Sequence, residues 1–299
     1  MEQSTYKTQP AFALRGGVVD AAGEQALVQY VACEPLKDAG FIAAFSTRQG
    51  GVSPFKPGGL SLGYGKSDSR ENVDENIRRF LIAIGARDFR LITARQTHSA
   101  DRCIIAPEKD VPDNPDYKCD ALLTKNRGLL LGVQTADCLP VLLADPKTGA
   151  MAAIHAGWRG TAARITERSI ADLMRDFGVN PRNCIAALGP AACADCYEVG
   201  SDVIDIYKKE FGYWRKLLRK HAESNKAYLD IQAANMQQMS FCGITPDRIY
   251  VSSFCTMHNN DLFFSYRKES NGGTLPVGRS ISVIGAEPRS TRGGKAAVT

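Results

Sequence analysis

Residues 139–155 leave the fewest folds open. They read LPVLLADPKTGAMAAIH: an apolar strand, the turn-forming run Asp145-Pro146-Lys147-Thr148-Gly149, and a second apolar strand. A link that short joins antiparallel neighbours and rules out a fold built only of strand–helix–strand crossovers. Around this hairpin, strands and helices are mixed. Strands are expected at 41–46, 90–97, 121–124, 129–134, 184–190, 249–255, 262–266 and 280–285, and helices at about 161–177, 201–219 and 230–241. In a further helix, Asp68 and Glu71 fit a capping box, Val73, Ile77, Phe80, Leu81 and Ile84 make one apolar stripe, and Gly85 is the stop. The pattern predicts an α/β (α+β) chain of mixed β-sheets covered by helices.

The 299 residues are 44% hydrophobic and 23% charged, enough for a sizeable core. No linker or repeat divides them, so one domain is expected over 30–287, between a flexible N-terminal arm (1–29, with Gly16-Gly17) and a disordered tail (288–299). The net charge of +5 is mild and evenly scattered, which argues against a nucleic-acid partner but leaves room for a small anion such as phosphate. No run of 18 apolar residues exists to span a membrane, and the polar start MEQSTYKTQP lacks a signal core. Nine irregularly spaced Cys then read as reduced cytoplasmic thiols.

Of four His, two stand in unusual company: His98 ends LITARQTH, and His155 ends the strand of the hairpin and precedes the turn AGWRG. Folding the hairpin about position 146.5 pairs residues whose numbers sum to 293, which sets Cys138 opposite His155. A thiolate facing an imidazole suits either a Zn²⁺ site or a Cys–His nucleophile pair. His98 supplies a third soft donor, and His₂Cys leaves a fourth position open for water or substrate. The bland alternatives are a buried Cys acting as a small hydrophobe and a His that is simply hydrogen-bonded. Cys193-Ala-Asp-Cys196 has C-x-x-C spacing but no second pair at zinc-ribbon spacing, so it reads as structural; His221 and His258 read as solvated loop residues.

TADCLPVLLAD (135–145) and AAIHAGWRG (152–160), with FSTRQGGVS (45–53), RQTHSAD (95–101), GPAACADCYEVG (189–200) and DLFFSYRKE (261–269), resemble the multicopper polyphenol oxidoreductase (laccase-like), or YfiH-like, family. The resemblance covers about 40–285. It implies a single α/β unit of mixed sheets sandwiched by helices and a zinc ion held by His98, Cys138 and His155. It further implies phosphorolysis of adenosine, inosine and methylthioadenosine to free base and ribose 1-phosphate, with adenosine deamination as a side activity. The chain departs from the family pattern at Ser61, where the family has Asn, at Thr97 and Ser99 of the Q-x-H block, and at Lys268 in place of a second Arg. Of these, Ser61 bears on substrate contacts.

Such chemistry needs a carboxylate to move protons. Asp137 is nearest in sequence, as proton shuttle or as a group orienting His98 or His155, and Asp120 is a second candidate. Phosphate calls for Arg: Arg48 on the Gly-rich loop first, then Arg159 and Arg279. The alternative for any of them is a surface salt bridge. Trp158 can stack on a base or belong to the core. Two other enzymatic readings compete: a Cys–His hydrolase or amidase with Cys138 as nucleophile, which suits the peptidoglycan-editing label used in this family, and a copper-dependent phenol oxidase. The latter is chemically weak, because four His cannot build a multicopper cluster. A non-enzymatic adaptor is disfavoured by the open donor set.

Overall fold

Long apolar runs become strands buried on both faces. The computed structural model describes residues 11–287 apart from 22–23, 66–67, 108–109, 113–115 and 224, so the expected tail at 288–299 and the first ten residues of the expected arm lie outside the described residues. The strands are β1 (Phe12–Ala21), β2 (Glu24–Cys33), β3 (Phe41–Ser46), β4 (Arg90–Ile92), β5 (Arg102–Ile104), β6 (Ala121–Thr124), β7 (Leu129–Thr135), β8 (Leu139–Ala144), β9 (Met151–Ala156), β10 (Ile185–Leu188), β11 (Glu198–Gly200), β12 (Leu218–Lys220), β13 (Lys226–Leu229), β14 (Ile249–Val251) and β15 (Ser280–Ala286). The helices are α1 (Glu34–Asp38), α2 (Arg70–Ala83), α3 (Trp158–Ala162), α4 (Ile165–Phe177), α5 (Ser201–Glu210), α6 (Ile231–Phe241) and α7 (Tyr266–Glu269).

Two mixed sheets stack face to face, ordered β1-β2-β3-β15-β7-β4 and β14-β10-β8-β9-β6-β5, beside a small sheet β11-β13-β12. Alternation along β8 shows why both faces are apolar. Leu139, Val141 and Leu143 join a core shared with α4 and α6, while Leu142 and Ala144 join the core between the sheets. A third core packs α2, through Phe80, on the outer face of the first sheet. Each fully buried Leu, Ile or Phe contributes about 1.5–3 kcal/mol relative to exposure. The expected α/β architecture of mixed sheets between helices is the one observed.

Several local expectations are corrected. Residues 12–21 and 24–29 belong to β1 and β2, two ten-residue strands paired antiparallel, the second of which also pairs with β3; they are not an arm. The glycines that suggested looseness serve packing: a Cβ on Gly17 would lie 2.6 Å from the backbone of Ala83 in α2. Ser69, rather than Asp68, caps α2 by accepting from the backbone N–H of Asn72. The expected helix at 201–219 ends at Glu210 and gives way to β12, and 262–266 forms no strand. The β8–β9 register pairs Pro140 with His155, so partners sum to 295 and not 293. The turn is larger than supposed because Asp145 and Ala150 still hydrogen-bond across it at 2.9 Å. Moving the sum by two preserves which face each side chain takes.

Candidate metal centre and its cavity

Three chain segments meet at the ends of β8 and β9. His155 lies near the C-terminal end of β9, Cys138 immediately precedes β8, and His98 sits on the connection between β4 and β5. One ligand atom from each lies within 4.8 Å of the others. Cys138 Sγ is 3.9 Å from His98 Nε2, and the two imidazoles stand edge to face with centroids 4.8 Å apart.

Asp120, just before β6, organises this meeting. Its Oδ1 lies 2.8 Å from His155 Nδ1, and its two oxygens accept the backbone N–H groups of Thr97, His98 and Ser99 and the hydroxyl of Ser99. One buried carboxylate therefore fixes the ring of one histidine and the loop that carries the other, which is held at φ +59°. Burial alone would raise the Asp120 carboxyl, but hydrogen bonds from His155 and Ser99 hold it well below the usual carboxylate range. Gln96 secures the same loop to β7 by exchanging two hydrogen bonds with Gln134.

Burial also works against charge on Cys138 and His155, yet each overrides it for the other. The imidazoles bring the Cys138 thiol below its ordinary range, while Cys138 and Asp120 lift His155 above its own. The thiolate needed by a metal is thus favoured. Gly157 completes the cradle: a Cβ there would stand 3.2 Å from His98, 3.3 Å from Cys138 Sγ and 3.5 Å from His155. Two imidazoles and a thiolate at this spacing, with backbone packed against one side, fit a divalent zinc-type ion.

The cluster forms part of the wall of a cavity of about 840 Å³. Arg159, Arg279 and Trp158 line it, as do Arg267, Tyr197 and Tyr266, which sequence reasoning missed. Three of these arginines lie over aromatic rings: Arg159 over Trp158 at 4.2 Å, Arg267 over Tyr197 at 5.1 Å and Arg279 over Tyr266 at 5.9 Å. Nothing in the sequence flagged Arg267, Tyr197 or Tyr266 beyond their presence in the family-like blocks.

Asp137 (φ +88°) also lines the cavity. Its Oδ1 accepts from the Thr256 hydroxyl at 2.6 Å and its Oδ2 from the Arg267 backbone N–H at 2.7 Å. The histidine-orienting role open to it from sequence is taken by Asp120. Arg48 and Ser61 require correction, because neither lines the cavity. Arg48 is 1% exposed, paired with both carboxylate oxygens of Glu269, bonded to the carbonyls of Lys56 and Asn260, and stacked on Phe264. The glycine-rich loop folds back on itself, through Gly51 to Gly58 and Ser53 to Gly59 backbone bonds, and closes around that guanidinium instead of presenting it. Ser61 is also buried; its Oγ accepts the backbone N–H of Arg279 at 3.1 Å, so it positions a cavity arginine from behind.

A cluster of soft donors opening into a large cavity with several arginines in its wall defines a metal-site α/β protein with the potential of an enzyme. The family model described as multi-copper polyphenol oxidoreductase laccase matches residues 42–287, and the chain belongs to that family. It is 35% identical over 256 residues to a purine nucleoside phosphorylase of Deinococcus radiodurans, covering 85% of this chain and 92% of that one. It is 32% identical over 234 residues to adenosine deaminase RL5 from an unknown prokaryotic organism, covering 76% and 88%. The crystal structure of YlmD from Geobacillus stearothermophilus superposes with a TM-score of 0.79 at 28% identity, covering 91% of this chain and all of that one.

Proposed function

We propose that the protein is a zinc-dependent purine nucleoside phosphorylase, converting adenosine, inosine or methylthioadenosine and phosphate to free base and ribose 1-phosphate, with adenosine deamination as a side activity. The observation that carries this reading is the His98–Cys138–His155 cluster, organised by Asp120 and opening on a cavity that also holds Arg159, Arg279 and Trp158. The names of the relatives just described support the same substrate class.

Arg159 and Arg279 supply the planar, charge-assisted donors that grip phosphate. Trp158 offers a face for the purine. In phosphorolysis a phosphate oxygen bonds to C1′ as the N-glycosidic bond breaks, and the departing base nitrogen takes the electron pair and a proton. Among the described residues that line the cavity Asp137 is the one acidic group, which makes it our candidate for moving that proton. A zinc ion bound by His98, Cys138 and His155 would supply Lewis acidity and lower the pKa of water to about 7. In deamination water adds at C6 of adenine and ammonia leaves, and Asp137 would again carry the proton. All nine thiols are unpaired, which suits a reducing, cytoplasmic setting.

The test combines elemental analysis with release of base from adenosine and inosine, with and without phosphate. Zinc at the cavity cluster and phosphate-dependent release should both be present, and His98→Ala, Cys138→Ala and His155→Ala should each lose that zinc together with the release. Full activity in all three variants overturns the reading. The competing reading, a Cys–His hydrolase, predicts instead that an alkylating agent forms an adduct on Cys138 without prior chelation.

A further inference from the structure

The C-x-x-C pair that the sequence left without a partner has one. Cys193 and Cys196, between β10 and β11, meet Cys255 and His258, which follow β14; one ligand atom from each of the four lies within 4.8 Å of the others. Cys196 Sγ is 3.2 Å from His258 Nε2, and Cys193 Sγ is 3.9 Å from His258 Nδ1. The matching half-site is thus C-x-x-H, Cys255-Thr-Met-His258. The two turns are joined directly: Ala191 bridges Cys255, the Thr256 N–H reaches the Ala191 carbonyl at 3.1 Å, and the Cys193 N–H points at Cys255 Sγ at 3.4 Å.

Three independent features mark these sulfurs as ligands. The Cys193 backbone N–H is aimed at Cys255 Sγ. A neutral thiol is a weak acceptor, so such a donor is suited to a thiolate. The three thiols are packed together yet unpaired. Each turn is also held by a cation: Arg219 bonds the Ala194 carbonyl and Asp195, and Lys268 Nζ donates to the Met257 carbonyl at 3.0 Å. Three thiolates with one Zn²⁺ carry a net charge of −1, which Lys268 offsets, Arg219 being paired with Asp195.

We propose that Cys193, Cys196, Cys255 and His258 form a second, structural zinc site, separate from the cluster at the cavity. Three sulfurs and one nitrogen fill a tetrahedron with bonds of about 2.3 and 2.0–2.1 Å and leave no open position. Binding replaces three S–H bonds by Zn–S bonds and releases three protons to solvent. The site ties the loop that carries Tyr197 to the segment whose Thr256 holds Asp137, so the metal fastens two parts of the cavity wall just past the end of the β10–β14 pairing and the Ala191 bridge.

Native mass spectrometry and elemental analysis of the full chain, purified without air, test this. Cys138→Ala/His155→Ala should retain one zinc per chain, and replacing that zinc with cobalt should give the intense thiolate-to-cobalt absorption of a tetrahedral three-sulfur site. Adding Cys193→Ser/Cys196→Ser, or His258→Gln if the serine pair fails to fold, should abolish that absorption. A Cys138→Ala/His155→Ala protein that binds neither metal, one whose cobalt spectrum is unchanged by His258→Gln, or a Cys193–Cys196 disulfide in the protein as isolated overturns the proposal. Because the count is taken with the cavity cluster removed, the outcome does not depend on the activity proposed above.

Discussion

Asp120 Oδ1 sits 2.8 Å from His155 Nδ1, and the same carboxylate gathers three consecutive backbone N–H groups at 97–99. A single side chain thereby couples the ring of one metal-ligand candidate to the backbone of another. Asp120→Asn keeps the volume but turns an NH₂ group toward donors. Zinc affinity should fall by about 10–100-fold, as it does when such orienting groups are lost. A competition titration against a zinc-responsive dye measures it; unchanged affinity would show that the loop and ring hold their places unaided.

Gly157 leaves no room for a side chain beside the cluster, since a Cβ there would stand 3.2–3.5 Å from all three members. Gly157→Ala adds a methyl at 3.2–3.3 Å from His98 and Cys138. Overpacking of this sort costs about 1–3 kcal/mol, and here the crowded neighbours are the three ligand candidates. The variant should melt a few degrees below the wild type without metal and also gain less from added zinc, as read by calorimetry with and without chelator.

Buried Arg48 and cavity-lining Arg279 should fail in different ways. Arg48→Ala leaves Glu269 without its guanidinium partner and should destabilise the fold by about 3–5 kcal/mol, measured by urea unfolding. Arg279→Ala should unfold at close to the wild-type urea concentration, while its KM for phosphate rises about tenfold or more, the loss of one charge-assisted contact. If Arg48→Lys raised the phosphate KM without loss of stability, the buried assignment would be wrong.

Asp137→Asn separates proton transfer from metal binding. Zinc content should be retained, since Asp137 touches Thr256 and Arg267 and neither imidazole. kcat should drop by about 10²–10⁴-fold, the usual contribution of a positioned acid or base, and the pH–rate profile should lose one limb. Wild-type kcat in this variant would assign the proton to another group.

Residue types and short-range spacing carried much of this architecture. The apolar runs of β8 and β9, the Asp-Pro-Lys-Thr-Gly turn, the Asp230 carboxylate that accepts from the Ala233 N–H at the start of α6 and the left-handed Gly178 that ends α4 depend on neighbours within a few positions, where backbone sterics and local hydrogen bonds act. The Cys138–His155 pair was legible for a related reason: facing in a hairpin depends on parity, and parity survived a register displaced by two, whereas His98 was singled out by residue type and its Q-x-H block.

Long-range folding settled the rest. Arg48 looked like an anion binder on a glycine-rich loop until Glu269, 221 positions away, drew it inside. The β1–β2 strands looked like an arm because an edge hairpin gains its order from β3 and α2 rather than from its own composition. Cys193 and Cys196 appeared unmatched because their counterparts lie about sixty residues on, and only the approach of the β14 end to the β10 end brings Cys255 and His258 beside them. A linear pattern reports which groups a chain owns; which of them share a volume of a few ångströms follows from how the sheets stack and where the loops between them must close.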